Sequence, residues 1–126
     1  MADANTMLRC IMGDDAQKIQ ELQEIRATQK IIYTIEIIAE VVYVLTKVYN
    51  VSRMDASNAI QHFLNARNIV CSNSEIAIRS LQLFGENHLD FIDNVLLAYH
   101  QIRGITIYSY DRKLINAIKR KDSEQN

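Results

Sequence analysis

From Glu36 to Tyr49 the chain reads as a helix that is apolar on most of its sides, with Ile37, Ile38, Val41, Val42, Val44, Leu45 and Val48 spread around it. Such a helix has to be covered on more than one face. It follows a β-branched run, Ile31-Ile32-Tyr33-Thr34-Ile35, that reads as a buried strand. Ile69-Val70-Cys71 makes a second short strand, and Ile105-Thr106-Ile107-Tyr108-Ser109 is the clearest strand in the sequence.

Helices separate these runs, and their starts and stops are marked. Met7, Leu8, Ile11 and Met12 run up to a stop at Gly13, and Asp14 with Gln17 makes a capping box for the next helix. Ser52-x-x-Asp55 opens a helix through Leu64, and Ser72-x-x-Glu75 opens one that ends at Gly85. Asn94 to Ile102 forms another, after which Gly104 resets the chain. A last short helix follows Asp111, and residues 119–126 read as a frayed polar tail beyond a single domain of residues 1–118. Short strands separated by helices predict an α/β domain with a parallel sheet covered on both sides. In such sheets the functional crevice lies beyond the C-terminal strand ends. That places Asp3 just past a first strand, Asp111 just past the last, and Asp90 at a helix packing back toward the same rim.

The bulk numbers narrow the partners. A chain of 126 residues can bury a full core without disulfides or metal staples. With 14 Lys and Arg against 15 Asp and Glu, the net charge of −1 gives no broad attraction to nucleic acid. A polyanion would therefore be held locally, by metal ions or by a small basic patch. Cys10 and Cys71 read as reduced core thiols of a cytosolic protein. No apolar run reaches membrane-spanning length and no signal peptide precedes the first acids, so the expected location is cytoplasmic.

Each acid has two readings. Asp90 and Asp93 stand three residues apart at a helix entrance, where they either cap the first turn or point at a cation. Asp3 and Asp111 are also natural caps. Glu40 is the only charged residue between Ile37 and Leu45, so it faces water along a stripe with Glu36 and Lys47, or it meets a cation. Four acids on one rim without clustered His or Cys would suit Mg2+ or Mn2+ rather than Zn2+. A divalent ion would resolve their mutual repulsion and support phosphodiester cleavage.

Together these segments resemble the PIN-domain ribonucleases, and most closely the VapC-type toxins of toxin–antitoxin pairs. The resemblance is carried by Asp3-Ala4-Asn5 with Met7-Leu8-Arg9 and Gly13-Asp14-Asp15, by Ile38 through Leu45 around Glu40, by Leu89 through Asn94, and by Ile107 through Leu114. It implies a three-layer α/β/α PIN-like fold with a short parallel sheet of four or five strands. It also implies a Mg2+- or Mn2+-dependent ribonuclease whose catalytic, metal-holding acids are Asp3, Glu40, Asp90 and Asp111, with Asp93 adjoining. Asn5 and Ser109 match positions that hydrogen-bond within that pocket. In the expected mechanism Asp3, Glu40 and Asp90 ligate the main ion, while Asp93 and Asp111 complete a second site or act through water. RNA is the implied substrate, a cognate antitoxin and a second copy of the chain the implied partners. The apolar helix at residues 36–49 fits a need for partner surface. The sequence departs from the family pattern in its short lead before Asp3, its lack of proline, and Ser109-Tyr110 where Thr and Phe are more usual. None of these removes an acid.

His62, His88 and His100 lack mutual ligand spacing and read as structural or exposed. Arg112 and Lys113, beside Asp111, are the best placed cations to meet RNA phosphates. Gly13, Gly85 and Gly104 make no phosphate-binding loop. Two rivals stand beside the nuclease reading. A haloacid-dehalogenase-like phosphatase would want a second acid where Asn5 stands, and a non-catalytic PIN-like binding module would bind no metal.

Overall fold

Thr34 decides where the first strand stops. Its hydroxyl accepts a hydrogen bond from the Ile37 amide at 3.3 Å, so the β-branched run turns into a helix directly after Tyr33. The computed structural model describes residues 1–125, with side chains through Ser123. In order, its elements are α1 (Ala4–Met12), α2 (Ala16–Arg26), β1 (Ile31–Tyr33) and α3 (Ile35–Tyr43), which continues as a π-helical turn (Val44–Val48). Then come α4 (Arg53–Leu64), β2 (Ile69–Cys71), α5 (Ser74–Glu86), α6 (Phe91–Arg103) and α7 (Arg112–Gln125).

The protein is a helix-rich α/β domain around a small parallel sheet. β1 and β2 pair with Ile31 opposite Ile69 and Tyr33 opposite Cys71. Among the described residues the sheet has two strands, against the four or five expected. Ahead of Asp3, the Ala2 amide donates to the Ile32 carbonyl of β1 at 3.0 Å. Ile105–Ser109 is not a strand. The Ile105 carbonyl faces His100 Nδ1 at 3.0 Å, and Tyr108 and Tyr110 stand in solvent. Branched and aromatic residues favour a strand only where a neighbouring strand offers an edge to pair with.

The apolar helix is covered as its composition requires. α3 packs against α1, α4 and α6, burying Ile38, Val41 and Val42, and Leu45 of the π-turn is buried with them. Tyr43 and Val48 stay exposed at its C-terminal end. Met7, Tyr33, Ile60, Ile76, Leu81 and Leu97 complete the centre of the core.

Several boundaries shift by a residue or more, each for a local reason. α2 is capped by Asp15, because the Asp14 carboxylate is held by Arg9 at 2.7 Å. α5 starts after Asn73, which adopts a left-handed conformation (φ 56°) in place of a Ser72 cap. Gly85 lies inside α5, where a Cβ would come within 3.4 Å of Met54 Sδ, so the glycine serves the close α4–α5 approach. The expected frayed tail is instead the end of α7. Asp122 on that helix sits 2.7 Å from His100 Nε2 on α6, which ties the two together; Asn126 lies outside the described residues.

Candidate functional site

The corner between α5 and α6 is built around one buried amide. Asn94, on the inner stripe of α6 with Phe91 and Ala98, is fully buried. Its Nδ2 donates to Asn87 Oδ1 at 3.1 Å, to the Leu89 carbonyl at 3.2 Å and to the Asp90 carbonyl at 3.3 Å. Asn87 Nδ2 returns a bond to Asn94 Oδ1 at 2.7 Å. From α4, Arg53 donates to the carbonyls of Phe84 and Leu89, and its guanidinium lies 3.7 Å from the centre of the Phe84 ring. Burial lowers the pKa of Arg53, and the nearby Asp90 charge opposes that. These bonds fix the backbone on which Asp90 is mounted.

Asp90 is the N-cap residue of α6, yet its carboxylate makes no capping bond. It is exposed, and with Asp93 and Asp111 it lines a cavity of about 250 Å³ whose other walls include His88, Arg112 and Lys113. Asp93 is half-buried. Burial, then the charges of Asp111 and Asp90, push its carboxyl above the usual range. Asp111 does cap its helix: its Oδ1 accepts the Leu114 amide at 3.1 Å, while Ser109 Oγ accepts the Asp111 amide at 3.0 Å. The structure therefore brings Asp90, Asp93 and Asp111 together, with Ser109, Arg112 and Lys113 around them.

Asp3 and Glu40 are not among the residues that line this cavity. Asp3 Oδ1 accepts the Thr6 amide at 3.2 Å and lines another cavity with Asn5, Arg9 and Lys18. Glu40 is exposed on α3 and lines neither cavity. A larger cavity of about 650 Å³ beside β2, lined by His62, Ser74 and Cys71, carries no carboxylate.

The three carboxylates offer oxygen donors that suit Mg2+ or Mn2+, with the His88 ring also on the cavity wall. Among the described residues no group of three or more His, Cys, Asp or Glu comes close enough to hold one ion. The fit is instead to one or two carboxylates completed by water and phosphate oxygens, the usual habit of Mg2+. Burial first, and then the charges of Asp111 and Asp90, raise the pKa of Asp93, and a divalent ion would offset both.

Asn94, Asn87 and Arg53 are the supporting residues that sequence reasoning missed. A signal existed for Asn94: it is a polar residue on the apolar stripe of α6, and a buried amide must find partners. No helix is long and apolar enough to cross a membrane among the described residues. Comparison with protein families gives one match, in which the model for the PIN domain covers residues 1–120. No curated protein and no solved structure is matched.

Proposed function

Because the chain belongs to the PIN domain family, whose members are in general nucleases that use divalent metal ions, we propose that it hydrolyses RNA phosphodiester bonds with Mg2+ or Mn2+ held by one or two of the carboxylates Asp90, Asp93 and Asp111 and completed by water and phosphate oxygens. The observation that carries this reading is the Asp90 carboxylate. It stands at a helix entrance without a capping bond and shares its cavity with two further acids.

When bound there, the ion supplies a water of lowered pKa and a counter-charge for phosphate oxygens. The chain supplies the positioning. Asn94 and Arg53 hold the Asp90 backbone, and Ser109 holds that of Asp111. Arg112 and Lys113, on the same cavity wall, receive the phosphates on either side of the cut. The resemblance also assigns Asp3, Glu40 and Asn5 to the pocket. In this reading Asp93 and Asp111 support Asp90 in the cavity that the three line, and Asp3 and Glu40 contribute to the same reaction from beyond its lining.

The proposal extends to biology. The chain is read as the toxin of a type II toxin–antitoxin pair, acting in the cytoplasm as a homodimer and restrained by a cognate antitoxin. The resemblance to VapC-type toxins supports this, as do the exposed side chains of Ile105, Tyr108 and Tyr110, which offer apolar partner surface.

Cleavage of a panel of structured RNAs with Mg2+, Mn2+ or chelator tests the chemistry. Metal-dependent cutting that chelator and Asp90→Asn each abolish is expected; Mn2+-dependent cutting retained by Asp90→Asn would refute the site. Expression without a partner should slow growth, and unaffected growth would remove the toxin reading alone. The separation of Asp3 from the acidic cavity favours one second reading, a PIN-like module that binds RNA without cutting it. That module would bind the same RNA panel and leave it intact with either metal.

A further inference from the structure

We infer that the cavity at the π-helical end of α3 takes the nucleobase of an RNA nucleotide whose phosphate lies at the Asp90–Asp93–Asp111 rim. The inference rests on the nuclease reading and adds a substrate subsite to it.

The cavity measures about 510 Å³, within the roughly 300–1,000 Å³ of small-ligand pockets. Its position is set by the backbone. The helix changes from α to π at Val44–Val48, a form that recurs at functional sites. Asn50, at φ 55°, then turns the chain toward α4. Val42, Phe84 and Phe91 give the cavity an apolar and aromatic lining.

Four features favour a nucleotide over other occupants. Asp90 lines both this cavity and the acidic one, so a ligand in either abuts the other. Tyr43 also lines the cavity while 62% exposed, which leaves an aromatic face free to stack on a base. Lys47 lies on the same wall, where its ammonium can meet a backbone phosphate. Thr46 adds a polar edge: its hydroxyl donates to the Val42 carbonyl at 2.8 Å and keeps its oxygen lone pairs for a base N–H. A second copy of the chain is the weaker occupant. Lys47, Arg53 and Asp90 put charge on the wall, and charged residues are depleted at the centres of protein interfaces.

Titration of the full chain with AMP, GMP, CMP and UMP in the presence of chelator, followed by amide NMR, tests the inference away from the metal. At least one nucleotide should shift the amides of Thr46, Lys47, Phe91 and Ile92. Tyr43→Ala should weaken that binding by roughly five- to 150-fold, the range of one aromatic–base stack, while Tyr43→Phe stays within about twofold. With a cleavable RNA, Tyr43→Ala should raise KM more than it lowers kcat. Wild-type affinity in Tyr43→Ala, shifts confined to other surfaces, or the same amides shifting on dilution of the protein alone would each overturn the inference. The two readings fail separately. Nucleotide binding at these amides without any metal-dependent cleavage keeps the base pocket and removes the nuclease. Cleavage that depends on Asp90 and is indifferent to Tyr43 does the reverse.

Discussion

Of the helices of this protein that open on an aspartate, α1 and α6 put the carboxylate to different uses. At the start of α1, Asp3 accepts the Thr6 amide, and the Thr6 hydroxyl donates back to the Asp3 carbonyl at 2.8 Å. Thr6 also meets the Tyr33 hydroxyl at 2.6 Å, and Arg9 and Lys18 share the nearby cavity. That acid serves the fold and has cations near it. At the start of α6, the buried Asn94 amide secures the Asp90 backbone instead, and the Asp90 carboxylate makes no cap. Its cavity partners are two more acids, with Arg112 and Lys113 beside them. Equivalent cap positions thus diverge according to whether another side chain takes over the task of holding the turn.

Replacing each acid by Asn is the sharpest way to break this contrast, since Asn caps as well as Asp but carries no charge. Asp90→Asn should lower RNA cleavage by roughly a hundredfold or more, the order expected when a few kcal/mol of charge stabilisation is lost. Asp3→Asn should lower it less. Equal losses in parallel assays would mean that the two regions act as one site. Next in size is Asn94→Ala, which takes one donor from the Leu89 and Asp90 carbonyls and leaves Asn87 Nδ2 without its acceptor. It should cost about 1–3 kcal/mol in urea unfolding and lower cleavage as well; an unchanged midpoint would show that Asn94 does not hold the corner. Asp3→Ala and Asp111→Ala each remove a real cap and should cost about 0.5–2 kcal/mol. Asp90→Ala removes none and should stay within about 0.5 kcal/mol. Matching losses in thermal melts would contradict the difference seen between the caps.

The smallest effect concerns the segment that carries Asp111. His100 is bonded to Asp122 and to the Ile105 carbonyl, and those bonds, the Asp122 bond first, raise its pKa above 6.5. A histidine whose folded pKa is raised contributes stability in full below its unfolded value. That contribution is lost as pH rises through the folded one. Wild-type stability should therefore fall modestly from about pH 6.5 upward, and His100→Ala should flatten the fall. Identical pH profiles would show that the α6–α7 clamp carries no charge.

Much of the helical framework was legible before any coordinates. The Ser52 cap, the Gly13 and Gly104 stops and the all-round apolar stretch at residues 36–49 all carry local signals, and each matches a boundary or a burial pattern. The sheet was less legible. Ile105–Ser109 has a strand's composition, but pairing depends on an edge elsewhere in the fold, and composition cannot supply one. The same limit applies to the candidate site. Asp90 and Asp93 are near neighbours in sequence, and Asp111 lines their cavity although the strand expected before it is not formed. Asp3, placed by an expected first strand, and Glu40 are not among the residues lining that cavity. Asn94 went unassigned because its role is to bond backbone carbonyls, which leaves little trace in a motif.

Calorimetric titration with Mn2+ of the wild type, Asp90→Asn and Asp3→Asn tests the placement of the metal most directly. Binding heat that disappears in Asp90→Asn and persists in Asp3→Asn is the expected result. Heat that persists in Asp90→Asn and disappears in Asp3→Asn would put the ion at the entrance of α1 and contradict the account.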